Sequence, residues 1–189
     1  SRLDAYHVGF LIGPRLNAAG RLGDAQAALD LLLTGDPRQA RDAAVRLDQS
    51  NRERQDVEKR IVEEAVKELE AVFDPKKHFG LVLARRGWHP GVLGIVASRI
   101  CQNYRRPTDV IALDETEEGR GSCRSIEEFN MGERLAECSD LLTRFGGHAM
   151  AAGLDVQAAK IESFKNRFNE VAAKALAGVD LRPVQKIDA

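Results

Sequence analysis

The feature that most constrains this fold is the run from Pro37 to Val72, in which no glycine or proline follows the first position. Glycine and proline are the residues that most disfavour a helix interior, so the run predicts one long helix. Its midsection, 48–59, is almost entirely polar, and an apolar stripe at three- and four-residue spacing marks its second half. The stripe consists of Val57, Ile61, Ala65, Leu69 and Val72. A polar midsection is typical of an element that connects two bodies, so we expect a domain junction there.

The segments around this helix predict an α/β fold. Segment 9–24 is rich in glycine, shows no helical stripe and predicts a loop, whereas 25–34 predicts a short helix ending at Gly35. The later elements are predicted as strands at 79–84, 108–113, 119–126 and 153–156 and helices at 92–104, 131–142 and 158–176. A strand–helix–strand order favours a parallel pair. We predict a mixed, mostly parallel small sheet flanked by helices and preceded by the long connecting helix.

Composition excludes several function classes. A net charge of −1 gives no global positive field, so any nucleic-acid binding would need a local patch. The three cysteines form no CxxC pair and are expected to be free thiols in a reducing compartment. No apolar run is long enough to span a bilayer and no export leader opens the chain, so we expect a cytoplasmic protein without membrane contact.

Four turns combine glycine with arginine or histidine. They are GPRLNAAGR (13–21), RRGWHPGVLG (85–94), GRGSCRS (119–125) and GGHAMAAG (146–153). In the last turn, paired glycines would let the backbone approach a ligand closely. If that turn feeds a helix, unpaired N–H groups and the helix dipole would attract a phosphate, with His148 as a further donor. The alternative is a tight structural turn.

Strand alternation in the third turn would place Arg120, Ser122 and Arg124 on one face. Two guanidiniums beside a hydroxyl make a plausible phosphate clamp, and the alternative is a polar strand with solvated arginines. Trp88 and His89 lie in a turn at the predicted mouth of the sheet, where open α/β sheets bind ligands. They would contact a base or sugar there, or serve structural roles.

Machinery for hydrolysis is not evident in the sequence. Phosphodiester hydrolysis commonly uses metal ions held by clustered aspartate and histidine, and the four histidines are scattered. The chain also has no GxGxxG fingerprint and no nucleophile elbow. These residues therefore predict phosphate binding with no catalytic residue and no metal ligand in this chain.

Taken together, the motifs resemble the RecJ family of bacterial single-stranded-DNA-specific exonucleases over about residues 10–176. The resemblance rests on GPRLNAAGRLGDAQAALDLLL, NRERQ, GWHPGVLGIVASRI, RPTDVIAL, GRGSCRSI and GGHAMAAG. The GGHxxAAG turn alone is less specific. It is also similar to the turn of the wider DHH phosphoesterase superfamily and to relatives beside alanyl-tRNA editing domains.

The resemblance implies an arrangement that the residues alone do not predict. RecJ-like enzymes have an N-terminal domain that binds manganese or magnesium, then a long helix, then a DHH-associated domain that grips nucleic acid. This chain would be a fragment without that metal-bearing domain and without a cofactor of its own. The expected parts are the edge of a mostly missing DHH-type domain at 1–47, a connecting helix at 48–74, the DHH-associated substrate-binding domain at 75–177 and a linker towards an oligonucleotide-binding barrel at 178–189.

Site residues are carried over position by position. The resemblance implies that Ser122, Arg124 and Ser125 contact backbone phosphates, and that Gly146, Gly147 and His148 bind a phosphate near the scissile bond. Contacts in the cleft between domains are expected from Arg15, Asn17, Arg21, Trp88, His89 and Arg120.

The implied parent protein removes nucleotides from the 5′ end of single-stranded DNA in repair and recombination. Its partners would be single-stranded DNA and, for the full-length protein, a single-strand-binding protein and other repair factors. This chain would bind the nucleic-acid substrate and would be inactive alone. Two alternatives stay open at this point: a DHH-family phosphodiesterase for short oligoribonucleotides or cyclic dinucleotides, and a non-enzymatic nucleic-acid-binding or dimerisation module.

Overall fold

The computed structural model describes residues 3–182 and divides into two compact units between Arg60 and Ile61. The first unit contains a π-helical turn His7–Ile12, helix α1 (Gly13–Leu22), helix α2 (Gln26–Leu33) and the start of helix α3 (Pro37–Val72). The division falls inside the segment predicted to connect two domains. The domain limits themselves stay a prediction, and most of the predicted linker at 178–189 lies outside the described residues.

Helix α3 has the limits that the glycine- and proline-free run predicts. In the second unit most of its stripe is buried, with Ile61 and Ala65 at 0% exposure and Leu69 at 5%, whereas Val72 at the helix end is exposed. In the first unit, Asn51 is 4% exposed and its Oδ1 accepts hydrogen bonds from Arg54. Burial of the stripe therefore starts where the second unit starts.

The loop predicted for the glycine-rich segment 9–24 is wrong, because most of this segment is helical. Pro14 stands in the first turn of α1, where a helix needs no N–H donor, and Ala18 and Ala19 are buried. A glycine costs a helix about 1 kcal/mol relative to alanine, which is a penalty and not a prohibition. Burial of the alanines outweighs it here.

The second unit is built on a five-stranded sheet in the order β1-β2-β3-β5-β4. The strands are β1 (Leu81–Arg86), β2 (Thr108–Leu113), β3 (Glu118–Arg124), β4 (Arg144–Gly147) and β5 (Ala151–Gln157). The mixed α/β class is confirmed. The balance of the pairing differs from the expectation, since β1 and β2 are parallel and the other three pairs are antiparallel.

Short connections explain two of the three antiparallel pairs, β2–β3 and β4–β5. The β2–β3 turn is closed by Asp114, whose Oδ1 accepts from the N–H groups of Thr116 at 2.8 Å and Glu118 at 3.1 Å. A tight turn can join only antiparallel strands, whereas a parallel pair needs a crossover. Helix α4 (Leu93–Tyr104) connects β1 to β2 and allows them to pair in parallel.

Helices cover the two faces of the sheet unequally. Helix α5 (Met131–Ala136) and helix α6 (Ile161–Ala175) lie on the side where the main apolar core forms around Phe164 and Phe168. Helix α4 packs on the opposite side against β2 and β3. The α4 side of β3, β5 and β4 therefore carries exposed or half-buried residues, with Arg120, Gly146 and Gly153 exposed.

None of the helices within residues 3–182 combines the length and apolarity needed to cross a membrane.

Candidate nucleic-acid-binding face

The uncovered side of β3, β5 and β4 is ordered by strand register into three rows, and we call it the open face. Its central row is Ser122, Gly153 and Gly146. One flanking row is Arg120, Asp155 and Arg144. The other is Arg124, Ala151 and His148, where the His148 N–H donates to the Ala151 carbonyl at 2.8 Å. The predicted alternation of Arg120, Ser122 and Arg124 on one strand face is confirmed.

Arg124 lies against the first turn of α4. Its Nη1 donates to Ser122 Oγ at 3.2 Å and to the Cys123 carbonyl at 2.7 Å. A Cβ on Gly94 would lie 2.7 Å from Arg124 Nη2 and 3.1 Å from Ser122 Oγ, so glycine at this position makes room for both side chains. No carboxylate of the described residues forms a salt bridge with Arg124. A cation and the N–H end of a helix both attract an anion, so this corner suits an oxyanion.

The GGHAMAAG turn is the tip of the β4–β5 hairpin, and the strand predicted at 153–156 lies within β5. β5 follows the turn, so a helix dipole of its own does not contribute there. Two carbonyls of the tip are bonded to neighbouring segments: Ala149 accepts from the Met131 N–H at 2.9 Å and Met150 from the Ser125 N–H at 3.0 Å. These bonds hold the tip in place, while His148 stays exposed.

The two glycines of this turn have different physical roles. A Cβ on Gly147 would lie 2.4 Å from Ala152 Cα and 2.5 Å from the Ala151 oxygen, so the hairpin has no space for a side chain there. Around Gly146 no atom of the described part of the chain lies within 4 Å of the same point. Gly147 is thus required by the hairpin, whereas Gly146 leaves space in front of the open face.

The flanking row of Arg120, Asp155 and Arg144 borders a cavity of about 460 Å³. Arg144 Nε and Nη2 lie 2.9 and 2.8 Å from Asp155 Oδ2. Arg120 Nε lies 3.8 Å from Asp155 Oδ1. Both arginines are mostly exposed, at 70% and 74%, and one carboxylate between two guanidiniums leaves one net positive charge.

Two residues predicted to meet the ligand are instead buried. Ser125 is 8% exposed and its Oγ donates to the Phe129 carbonyl at 2.6 Å. Trp88 is 4% exposed and its Nε1 donates to Glu64 Oε2 at 2.8 Å. Their hydrogen-bonding groups serve the core and α3, which corrects the expected contacts with phosphate and with a base. His89 is half-buried, and its Nδ1 accepts from the Gly91 N–H at 3.1 Å.

The first-unit residues that were expected to contact nucleic acid in a cleft lie on α1. Arg15 Nε donates to Asp48 Oδ1 at 2.8 Å, and Arg15 Nη1 donates to the Leu11 carbonyl at 2.7 Å. Asn17 is exposed and Arg21 is half-buried. Their expected contact with nucleic acid stays a prediction.

The core side of the sheet holds an unusual carboxylate. Asp109 of β2 is fully buried, and no nitrogen or oxygen donor among the described residues reaches its side chain. Its partner across the β2–β3 pair is Cys123, a weak donor. Burial disfavours the charged form and raises the pKa of Asp109 to about 7. Burial also raises the pKa of Cys101 to about 11 and of Cys138 to about 12, in keeping with the expected free thiols.

Within residues 3–182, no group of three histidine, cysteine, aspartate or glutamate side chains could hold a metal ion. The absence of metal ligands from this chain stays a prediction.

Three residues at or beside the open face were not among the predicted site residues: Gly94 of α4, and Gly153 and Asp155 of β5. The alternation of β5 could have placed Gly153 and Asp155 on one face, because residues two apart on a strand point to the same side. Gly94 had no local signal, because its importance depends on a contact with β3, which lies far along the chain.

Comparison with known proteins places these features in a family. The DHHA1 domain model matches residues 77–174. The single-stranded-DNA-specific exonuclease RecJ of Bacillus subtilis is 42% identical over 183 residues, which cover 96% of this chain and 23% of that protein. The protein of the same name from Haemophilus influenzae is 42% identical over 175 residues, covering 88% of this chain and 30% of that protein. The chain thus spans less than a third of these curated relatives.

Solved structures show the same similarity. A crystal structure of RecJ in complex with Mg²⁺ from Thermus thermophilus matches with a TM-score of 0.80 and 38% identity, covering 90% of this chain and 26% of that one. A crystal structure of exonuclease RecJ bound to manganese matches with a TM-score of 0.81 and 38% identity, covering 94% and 44%. The described fold is therefore similar to part of larger, metal-containing proteins.

Proposed function

Because this chain belongs to the DHHA1 domain family, we propose that it is the substrate-binding part of a RecJ-like exonuclease that degrades single-stranded DNA from the 5′ end. The observation that carries the proposal is the corner formed by Ser122, Arg124 and Gly94. There a guanidinium without a carboxylate partner among residues 3–182 lies beside a hydroxyl and the N–H end of α4. This arrangement suits a phosphate better than any neutral ligand.

Each part of the open face has a role in this proposal. Arg124 neutralises a backbone phosphate, and the Ser122 hydroxyl donates a hydrogen bond to a phosphate oxygen. Gly146 lets the DNA approach β4 closely, because it has no side chain. His148 contacts the DNA from the exposed hairpin tip. The face offers no donor set for a metal, so hydrolysis is assigned to a domain outside this chain. Manganese or magnesium bound there would activate the attacking water.

The names of the relatives favour this function over a phosphodiesterase for short RNA. The curated proteins that match this chain at about 40% identity are single-stranded-DNA-specific exonucleases. In the parent protein, a long single strand should therefore be cleaved much faster than a ribodinucleotide. The reverse preference would favour the phosphodiesterase.

Binding by this chain tests the proposal directly. Replacing Arg124 by Gln should weaken binding to single-stranded DNA about tenfold, since a charge-assisted bond to phosphate is lost. Loss of one phosphate contact should also flatten the salt dependence by about 0.7 in the log–log slope. The matched control is Arg167→Gln, on α6 at the other side of the sheet, which should change neither quantity. Equal losses in both variants would contradict the proposed site.

Catalysis by the chain alone gives a second test. Incubated with a labelled oligonucleotide and manganese, the purified chain should release no nucleotides. Clear turnover would show that a catalytic site lies within these residues, contrary to the proposal.

A further inference from the structure

The phosphate site at Ser122 and Arg124 gives no role to the row of Arg120, Asp155 and Arg144. This row lies at the far end of the same face, four residues away along β3 and β4. At about 3.3 Å per residue, the two flanking rows are about 13 Å apart between Cα atoms. The Arg124 guanidinium lies nearer than this to the other row, because its Nη1 reaches Ser122 Oγ of the central row at 3.2 Å.

The central row between them has no bulky side chain. Gly153 and Gly146 are exposed, Ser122 is half-buried, and both glycines line the cavity of about 460 Å³ together with the two arginines. A ligand that crosses from one arginine row to the other therefore meets no side-chain barrier. Its path runs lengthwise over β5.

From this geometry we propose that Arg120 and Arg144 form a second phosphate subsite, which binds the phosphate adjacent to the one held at Ser122 and Arg124. The sugar between the two phosphates lies over Gly153 and Gly146. The ligand class is a single-stranded oligonucleotide with two successive phosphates. This inference rests on the proposed function, because it takes the corner at Arg124 as the first phosphate site.

Asp155 explains why two arginines can lie so near each other without a ligand. It separates them across β5 and pairs with both, which offsets their mutual repulsion and orients their side chains. Each guanidinium has five N–H donors, and the contacts to Asp155 leave several of them for phosphate oxygens. The net positive charge of the row remains available to attract the strand.

Two nucleotide probes distinguish one phosphate site from two. Thymidine 5′-monophosphate carries one phosphate, and 5′-phosphorylated thymidine dinucleotide carries two. In NMR titrations of the whole chain, the dinucleotide should bind about tenfold more tightly, since it gains a second charge-assisted contact. Replacing Arg120 and Arg144 together by Gln should remove that advantage and leave monophosphate binding unchanged.

Further variants separate the possible failures. Arg124→Gln should weaken both probes, Arg167→Gln should affect neither, and Asp155→Asn should strengthen only the dinucleotide because one negative charge leaves the row. Binding of neither probe by the parent chain would overturn the proposed function and this inference with it. Equal binding of both probes, or a double variant that weakens both alike, would overturn the second subsite while leaving the first intact.

Discussion

At the scale of single residues, the positions of Arg124 and Ser122 depend on the absence of a side chain at Gly94. The nearest atoms to its absent side chain are Arg124 Nη2 at 2.7 Å and Ser122 Oγ at 3.1 Å. Both are ends of side chains that can move, so a methyl group here would displace the guanidinium without breaking the backbone. Position 94 therefore controls where Arg124 points.

Replacing Gly94 by Ala should lower affinity for single-stranded DNA while the chain stays folded. The expected loss is several-fold, because the guanidinium and the hydroxyl are pushed apart but the charge remains. Fluorescence anisotropy would measure affinity, and circular dichroism would verify the fold. Because alanine favours a helix interior by up to about 1 kcal/mol, thermal stability should not fall much. Unchanged affinity would show that Arg124 does not bind phosphate from its present position.

Asp109 predicts a pH dependence of stability. In the unfolded chain its carboxyl titrates near 3.8, whereas burial raises the pKa in the folded chain to about 7. Between these values the folded state holds a proton that the unfolded state has lost. The free energy of unfolding should therefore fall as the pH rises through this window and stay low above it.

The variant Asp109→Asn cannot ionise and should lack this decline. Above pH 7 it should be more stable than the parent, by on the order of 4 kcal/mol at most. Urea unfolding near pH 4 and near pH 8 would measure the difference, which should vanish at the lower pH. If both proteins lose stability in parallel over the window, another group is responsible.

At the scale of elements, the β4–β5 hairpin contains two adjacent glycines that differ in the space around them. Gly147 is packed against the backbone of Ala151 and Ala152, whereas the space in front of Gly146 is open. A matched pair of alanine variants can therefore separate folding from binding within one short strand.

Gly147→Ala should destabilise the hairpin by about 1–3 kcal/mol, because its methyl group would meet backbone atoms that cannot move aside easily. Gly146→Ala should keep the stability of the parent and weaken DNA binding, because it places a methyl group on the ligand side. Thermal unfolding and anisotropy titration report the two effects separately. Loss of stability in the Gly146 variant, or none in the Gly147 variant, would contradict the assignment.

How far the sequence predicts these elements depends on whether the signal is local. Helix α3 was predicted with its limits because nothing within Pro37–Val72 interrupts a helix. The row of Arg120, Ser122 and Arg124 was predicted because alternation along a strand is also local. The strand predicted at 153–156 is present within β5, but the helix also considered after the GGHAMAAG turn is not, although the small residues there fit a helix or a strand equally well. Pairing with β3, which lies elsewhere in the sequence, decides between them.

Contacts between distant segments were beyond such reasoning. The place of Gly94 beside Arg124 and the pairing of Arg144 with Asp155 require the strand order and the α4 crossover. Burial of Trp88 depends on Glu64, far away on α3. The arginine and serine of the site were therefore predictable from the sequence. The residues that position them through contacts between distant segments, such as Gly94 and Asp155, were not.

At the scale of the whole molecule, exposed apolar surface is distributed unevenly. Within the described residues, nearly all exposed large apolar side chains belong to the first unit. They include Phe10 at 70%, Leu32 at 67%, Leu33 at 73% and Val45 at 63% exposure. Single exposed apolar residues are common on proteins, but a concentration of them in one unit favours association through that unit.

We therefore expect the chain to self-associate through its first unit while the open face works in the second. Replacing Leu32 and Leu33 together by Lys should reduce the mass seen by light scattering at high concentration, because two apolar groups become charged. Nucleotide binding should not change, since the open face lies wholly within the second unit.

A shortened chain of residues 51–182 gives the complementary measurement. It keeps the buried stripe residues Ile61, Ala65 and Leu69, which the second unit needs for its core, and removes most of the exposed apolar side chains. It should be monomeric and should bind thymidine 5′-monophosphate with the affinity of the parent. If it folds but no longer binds, the first unit supplies part of the phosphate site, and the open face alone is not sufficient. If it binds but still self-associates, the surface responsible lies in the second unit.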